Sequence, residues 1–352
     1  MKPISLIRIS AVLPPILSLQ RAGAPVHRYL RQANIPELVL EHPEVSVPLA
    51  AMVNFYHGAA RAEGLESLGL AFTDSYHVFN LGLVGKILGQ SITLYDALRQ
   101  LCFISKKVTS GQTYWLIEQA HQVCFCERFD NPSTLFEGGL SGATHYAFAL
   151  MLNYIRRFLG DDWQPTEVYI ATPPFKQFRQ EFRLETTRIH YNHSHIAICI
   201  PRHRLATSVA PALPLPSLSS ERIDTWEATA PKQDFVGTLE QTLTTLLLDS
   251  YPTIEVTADV VGISIRTLQR NLSQQGLTYS RLMDRVRYQK ALSLMQDADI
   301  PLIEVAYALG FSDPANFSHA FKRWTGVSPR QFLKNRKMLV KNPSYPLNCQ
   351  QR

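Results

Sequence analysis

Two stretches near the C-terminus carry side chains suited to reading nucleic acid. Residues 256–282, VTADVVGISIRTLQRNLSQQGLTYSRL, contain Arg266, Thr267, Gln269, Arg270, Ser273 and Gln274, with Ser264 ahead of them. Residues 304–332, EVAYALGFSDPANFSHAFKRWTGVSPRQF, contain Ala315, Asn316, Ser318, His319, Lys322 and Arg323, with Ser312 ahead of them. Arginine and glutamine pair bidentately with guanine and adenine edges in the major groove. Lysine, arginine and small hydroxyls hold phosphate oxygens and fix the register. This chemistry needs the polar groups on one exposed face of a rigid element, over an apolar opposite face.

The spacing supplies that element twice. Each stretch runs through a short apolar helix pattern, a glycine, a serine, a second helix and another glycine, the grammar of a helix-turn-helix. In the first copy Ala258 and Val261 face inward, Gly262 ends the helix, and Ser264 caps the next. Leu268 and Leu272 are one turn apart, so the polar residues named above fall opposite or beside them. In the second copy Ala306 and Leu309 pack, Gly310 stops the helix, and Ser312 or Asp313 caps the next, with Pro314 at its first position. Phe317, Phe321 and Trp324 form its core, and Gly326 closes it. The first copy's Arg/Gln face suits base edges, and the second copy's His319, Lys322 and Arg323 suit a phosphate grip. The helix joining them, 279–296, has an apolar stripe of Tyr279, Met283, Val286, Ala291 and Leu294. Arg287 and Lys290 fall within the stripe and are expected to turn their charged ends outward. At 1.5 Å per residue the joining helix spans roughly 27 Å, close to the roughly 34 Å between successive major-groove faces. Asp297, Asp299 and Glu304 read as helix-end charges.

Charge follows the repeat. The net charge is +6 over 352 residues, and residues 252–341 hold 13 Lys/Arg against 7 Asp/Glu, so they carry all of it. A basic module attached to a neutral one is the footprint of nucleic-acid binding by one domain. No apolar run is long enough to span a membrane, and Ala11–Leu19 reads as an ordinary first helix. Cys102, Cys124, Cys126, Cys199 and Cys349 form an odd, scattered set without a CxxC pair, which reads as free, mostly buried thiols in the cytoplasm.

Upstream of the basic module the pattern is mixed. Ser91 caps a helix in SITLYDALRQL, and 112–128 reads as a hairpin. Residues 141–159 read as a long helix, and 167–171 and 196–200 as strands. Residues 234–250 form a helix with Phe235, Leu239, Leu243 and Leu246 inward. Residues 208–231, with Pro211, Pro214, Pro216, Ser217, Ser219 and Ser220, break all periodicity and read as a linker. The expected organisation is an α+β N-terminal regulatory domain, 1–207, for sensing or dimerisation; the linker 208–231; an all-α C-terminal domain, 232–341, of two helix-turn-helix subdomains joined by a helix; and a tail, 342–352. His190, His193 and His195 offer a second chemistry: 193 and 195 would share one face of a strand and hold a metal. No carboxylate or cysteine follows at ligand spacing, and no G-x-S-x-G, P-loop or dinucleotide fingerprint appears. The reading is therefore a non-enzyme without cofactor or metal. The alternatives are a ligand-free dimerisation domain, or a metal-binding or enzymatic domain, fused to the DNA-binding module.

The segment GFSDPANFSHAFKRWTGVSPRQF resembles the signature of the AraC/XylS family of bacterial transcription regulators, and the first copy's S-x-R-T-L-Q-R with its following glycine fits as well. That likeness covers about 100 residues. Upstream, Ile35–Pro36, Pro48–Leu49, Gly69–Leu70, Gly82 and Gly85, SITLYDAL and GDDWQP at 160–165 resemble the arabinose-binding N-terminal region of a subgroup that includes ornithine-responsive regulators. The sequence departs from that pattern at Arg183–His190, where a Gly or Pro is common. The resemblance implies a cytoplasmic regulator of double-stranded promoter DNA, often an activator that contacts RNA polymerase. It also implies an N-terminal domain that senses a small-molecule effector or forms a homodimer.

Overall fold

In the computed structural model, β1 (Leu6–Arg8) pairs antiparallel with β2 (Ser46–Pro48), and α1 (Leu13–Arg21) and α2 (Val26–Gln32) lie between them in sequence. The structure describes residues 2–66, 68–71, 77–78, 81–130, 132, 137–209, 220–297 and 300–341. Pro14 and Pro15 occupy the start of α1, where their missing N–H groups cost nothing. Four helices follow: α3 (Leu49–Ala62), α4 (Leu68–Ala71), α5 (Gly82–Leu88) and α6 (Leu94–Val108). The α6 cap is Thr93, whose hydroxyl accepts the Asp96 N–H at 3.2 Å. Ser91, the expected cap, instead donates to Gln100 Oε1 at 2.6 Å.

The expected hairpin is β3 (Gln112–Glu118) and β4 (Gln122–Phe129). The long helix is α7 (Glu137–Leu159). After it come β5 (Glu167–Tyr169), α8 (Phe178–Glu181), β6 (Arg188–His190) and β7 (Ile196–Pro201). The five strands form one sheet in the order β3-β4-β7-β5-β6, antiparallel except for the β5–β6 pair. One face presents Val123, Phe125, Ile198 and Ile200 to the core, all buried. Gly69 of α4 sits against α7: a Cβ there would collide with the Gly142 carbonyl and the Tyr146 N–H.

Alternation places Cys124, Cys126 and Cys199 on the other face, against Trp115 and Tyr169. Here the reading of five free thiols fails, because Cys124 and Cys199 form a disulfide. They are cross-strand partners in the β4–β7 ladder with Cα atoms 4.1 Å apart, a close approach available where antiparallel neighbours share no hydrogen bonds. Cys102 and Cys126 are free, and burial pushes their thiols up to about 11 and about 12. Cys349 lies outside the described residues, as do Tyr76, Asp299, the tail and the linker prolines.

The linker reading needs a correction. Residues 220–228 are helical, α9 (Ser220–Ala228), and Trp226 is buried. The cause is Arg8, whose side chain is 0% exposed although it ends in a charge. Its guanidinium donates to the carbonyls of Lys107 (2.7 Å), Glu44 (2.7 Å) and Trp226 (2.5 Å). It lies 4.8 Å from the Trp226 ring centroid and 3.5 Å from Glu44 Oε2, which also accepts the Trp226 indole N–H at 2.8 Å. Burial lowers the Arg8 pKa to about 10, with Glu44 pulling it back up. A proline- and serine-rich approach hides this from the sequence, because the anchor is a residue more than 200 positions earlier.

The remainder is helical: α10 (Phe235–Leu246), α11 (Ile254–Val260), α12 (Ile265–Ser273), α13 (Tyr279–Leu294), α14 (Leu302–Ala308), α15 (Pro314–Thr325) and α16 (Pro329–Lys341). Phe235, Leu239, Leu243 and Leu246 are all buried, as their spacing predicts. By contacts the chain divides into two units, Met1–Thr242 with Ala258–Ser264, and Leu243–Thr257 with Ile265–Arg352. Among the described residues no helix is long and apolar enough to cross a membrane.

Candidate DNA-binding face

The turn glycines have the backbone their role requires. Gly262 (φ +70), Gly310 (φ +72) and Gly326 (φ +82) are left-handed. In the first copy Leu268 and Leu272 of α12 are 0% and 1% exposed, while Arg266, Gln269, Arg270, Ser273 and Gln274 are exposed, as is Ser264 before the helix. Thr267 is half-buried at the flank. In the second copy Phe317 and Phe321 of α15 are buried with Val305, Ala306 and Leu309 of α14 and Ala291 and Met295 from α13 and its end. Trp324 is partly buried against them, its ring 6.3 Å from Phe321. Asp313 is the α15 cap, its Oδ1 accepting the Ala315 N–H at 2.7 Å. Ser312, Ala315, Asn316, Ser318, His319, Lys322 and Arg323 are exposed.

Two of these side chains are already engaged. Ser318 Oγ donates to the Pro314 carbonyl at 3.0 Å. Arg323 reaches both carboxylate oxygens of Asp284 on α13, at 3.0 and 2.9 Å. Arg323 is therefore held against α13, a pairing that local spacing does not reveal. Arg281 on α13 and Arg330 on α16 are exposed cations that the helical-face reasoning left out; only their charge marks them.

The joining helix α13 has 16 residues, about 24 Å at 1.5 Å per residue, shorter than expected. Met283, Val286 and Ala291 of its stripe are buried. Arg287 and Lys290 do not turn outward. Arg287 donates to the carbonyls of Leu309 (2.9 Å) and Gly310 (3.1 Å), the orphan acceptors at the end of α14. Its guanidinium lies between two rings, 4.2 Å from Tyr251 and 4.1 Å from Phe311. Lys290 donates to the Leu247 carbonyl just past α10, at 3.0 Å. Desolvation lowers both pKa values. Bare helix ends within reach outcompete solvent for these two cations, a matter of tertiary placement that periodicity does not encode.

The histidine cluster is an aromatic array. His190 stacks on Tyr169 at 4.5 Å, His193 meets Tyr169 at 4.8 Å and His195 at 4.9 Å, and His195 lies 5.3 Å from Trp115. His193 and His195 precede β7 rather than lying on a strand, so they do not share a strand face. Among the described residues no group of three or more His, Cys, Asp or Glu is arranged to hold a metal.

A second site lies in the N-terminal unit, where sequence reasoning named no ligand residues. A cavity of about 80 Å³ is bounded by β1, α3, α5, α6, β3, β4 and α7, with Met52, Leu88, Leu101, Val108, Phe129 and Met151 among its walls. Among the described residues no Arg, Lys, His, Asp or Glu lines it. Gln112, in its wall, donates to Oε1 of Glu127 at 3.0 Å. Glu127 is 0% exposed, and burial is the main cause that pushes its pKa up to about 8, helped by Asp130 and opposed by the Gln112 bond. A pH prediction follows. Between the ordinary 4.5 and about 8 the folded chain keeps a proton that the unfolded chain has lost, so stability falls as pH rises through that window. Glu127→Gln is expected to flatten this slope by at most about 1.4 kcal/mol per pH unit. Urea unfolding from pH 4.5 to 8 checks it; parallel wild-type and variant curves would contradict it.

These features define a DNA-binding module of two helix-turn-helix units joined to an α+β domain with an apolar cavity. An arabinose-binding domain of AraC transcription regulators matches residues 23–208, and a helix-turn-helix domain matches 257–335. The first match alone covers more than half of the sequence, and the chain belongs to the AraC family of transcription regulators. It is 33% identical to the HTH-type transcriptional regulator VqsM of Pseudomonas aeruginosa over 141 residues, 39% of this chain and 43% of that one. It is 29% identical to the ornithine utilization regulator of the same species over 191 residues, 54% and 55% of the two chains. To the HTH-type transcriptional activator RhaS of Enterobacter it is 41% identical over 83 residues, 23% and 30% of the two chains. The chain thus spans about half the length, or less, of these curated relatives.

Proposed function

We propose that this chain is an effector-responsive regulator that grips promoter DNA at two successive groove segments, through α12 and α15, and acts as an activator. The observation that carries the reading is the pair of helices with buried apolar faces and exposed Arg, Gln, His and Lys faces, in a segment holding all the net charge. The N-terminal cavity supports effector sensing over a ligand-free dimerisation domain. RNA polymerase is the partner expected for an activator, in the cytoplasm, and a second copy of the chain is a further candidate partner. Nothing in this scheme calls on catalysis, a cofactor or a membrane.

Each base-reading side chain is worth about 1–3 kcal/mol of discrimination. Arg270→Ala is therefore expected to weaken operator binding about 5- to 150-fold, and His319→Ala, which removes a phosphate-facing side chain, to weaken it as well, neither lowering the melting temperature. Gel-shift titration with circular dichroism checks this, and unchanged affinity in both variants would overturn the face assignment. Affinity should also fall steeply with salt, and Lys322→Ala should reduce the log–log slope by about 1.

A further inference from the structure

Glu127 has no evident structural reason to be an acid. It pairs across the β3–β4 ladder with Tyr114, so both side chains emerge on the same sheet face, with Phe125 and Phe129 two residues away on either side. Tyr114, Gln112 and Phe129 all line the cavity. Glu127 therefore stands on the cavity face of the sheet, flanked by wall residues. Oε1 takes the Gln112 hydrogen bond, whereas Oε2 is buried with no hydrogen-bond partner. A buried polar atom left unpaired costs about 1–3 kcal/mol, and a fold does not retain that cost without a use or a missing partner. Three of the cavity's hydroxyls do not fill the role. Those of Ser105, Thr109 and Tyr146 donate to the carbonyls of Cys102, Leu6 and Ala11.

The walls specify the rest of the partner. They are aliphatic and aromatic, so the body of the ligand is hydrocarbon, and the two methionines can adapt to its shape. Among the described residues no basic side chain lines the cavity, so an anionic ligand would be buried without a counter-charge. A cation would find one in Glu127, which stands beside the wall residues Gln112, Tyr114 and Phe129 and not among the lining itself. We propose that the effector of this cavity is a small apolar amine, whose ammonium group reaches Glu127 Oε2 while its hydrocarbon body fills the space between α3, α6 and α7. This rests on the reading of the cavity as the effector site. In the empty protein the acid is held protonated, with Tyr114 and Asp130 as its titratable neighbours. Binding an ammonium replaces that proton: the Glu127 O–H loses H⁺ to solvent and the carboxylate pairs with the incoming cation.

Calorimetric titration of the full chain at pH 7 with cyclopentylamine, cyclopentanol and cyclopentanecarboxylate separates the possibilities. The amine is expected to bind at least about tenfold more tightly than the other two, as a desolvated charge pair requires. Repeating the titration in buffers of different ionisation enthalpy should show close to one proton released per amine bound in the wild type. Glu127→Gln should remove the preference for the amine and the proton release while leaving cyclopentanol binding unchanged. An amine preference that survives Glu127→Gln, or a preference for the carboxylate, overturns the inference and leaves the cavity as an effector site of other chemistry. If none of the three binds, the inference and the reading beneath it fall together. The proton count is read on the wild type, so it decides the matter even if the variant does not fold.

Discussion

Arg8→Ala is expected to destabilise the N-terminal unit by about 3–5 kcal/mol, the usual consequence of removing one partner from a buried charge network. The guanidinium is fully buried and supplies hydrogen bonds to three backbone carbonyls, those of Lys107, Glu44 and Trp226. Truncation leaves all three without that donor and opens a cavity under Trp226. Arg8→Lys should recover less than half of the loss, because a single ammonium cannot reproduce the planar fork. Urea denaturation followed by Trp fluorescence is the direct readout, and a loss below about 1 kcal/mol would show that water replaces the guanidinium without penalty. The same variant should release α9, which is tied down through Trp226, so limited proteolysis should cut near residues 220–228 sooner than in the wild type.

Phe321→Ala is expected to cost about 3–5 kcal/mol in the second unit through the void it leaves. The ring is 0% exposed and sits 5.4 Å from Phe332, 5.7 Å from Phe317 and 6.2 Å from Tyr288. It thereby joins α13, α15 and α16. Calorimetry should resolve a lowered transition for the second unit with the first unit unaffected, and a near-wild-type curve would contradict the core assignment. The effect on function should be unequal: contacts made by α15 should be lost before those made by α12.

What was legible in the sequence is what local periodicity encodes. Leu268 with Leu272, Phe317 with Phe321, and the left-handed glycines at 262, 310 and 326 follow from spacing and from the glycine's freedom to adopt positive φ. The hairpin of β3 and β4 was readable from composition for the same reason. Contacts set by distant partners were not. Arg287 and Lys290 looked like snorkelling cations on a stripe, yet they cap the ends of α14 and α10. Cys124 and Cys199 are cross-strand neighbours although 75 residues apart in sequence, and β6, three residues long, carries no pattern of its own. Trp226 lies in a stretch that composition marks as a linker, and its partners Arg8 and Glu44 are far away in sequence. The cavity was illegible for a related reason. Its walls come from at least seven separate elements, and Glu127 is an unremarkable strand residue until Gln112 and Tyr114 of β3 lie beside it.

In the proposed grip one chain holds DNA at two places through two unequal helices. Hydroxyl-radical footprinting of the full chain on the DNA upstream of its own gene tests this directly, with wild type, Arg270→Ala and Lys322→Ala compared on the same fragment. Two protected zones are expected on one face of the duplex, about one helical turn or roughly 34 Å apart, with Arg270→Ala fading one zone and Lys322→Ala the other. A single protected zone that both variants weaken equally would contradict it.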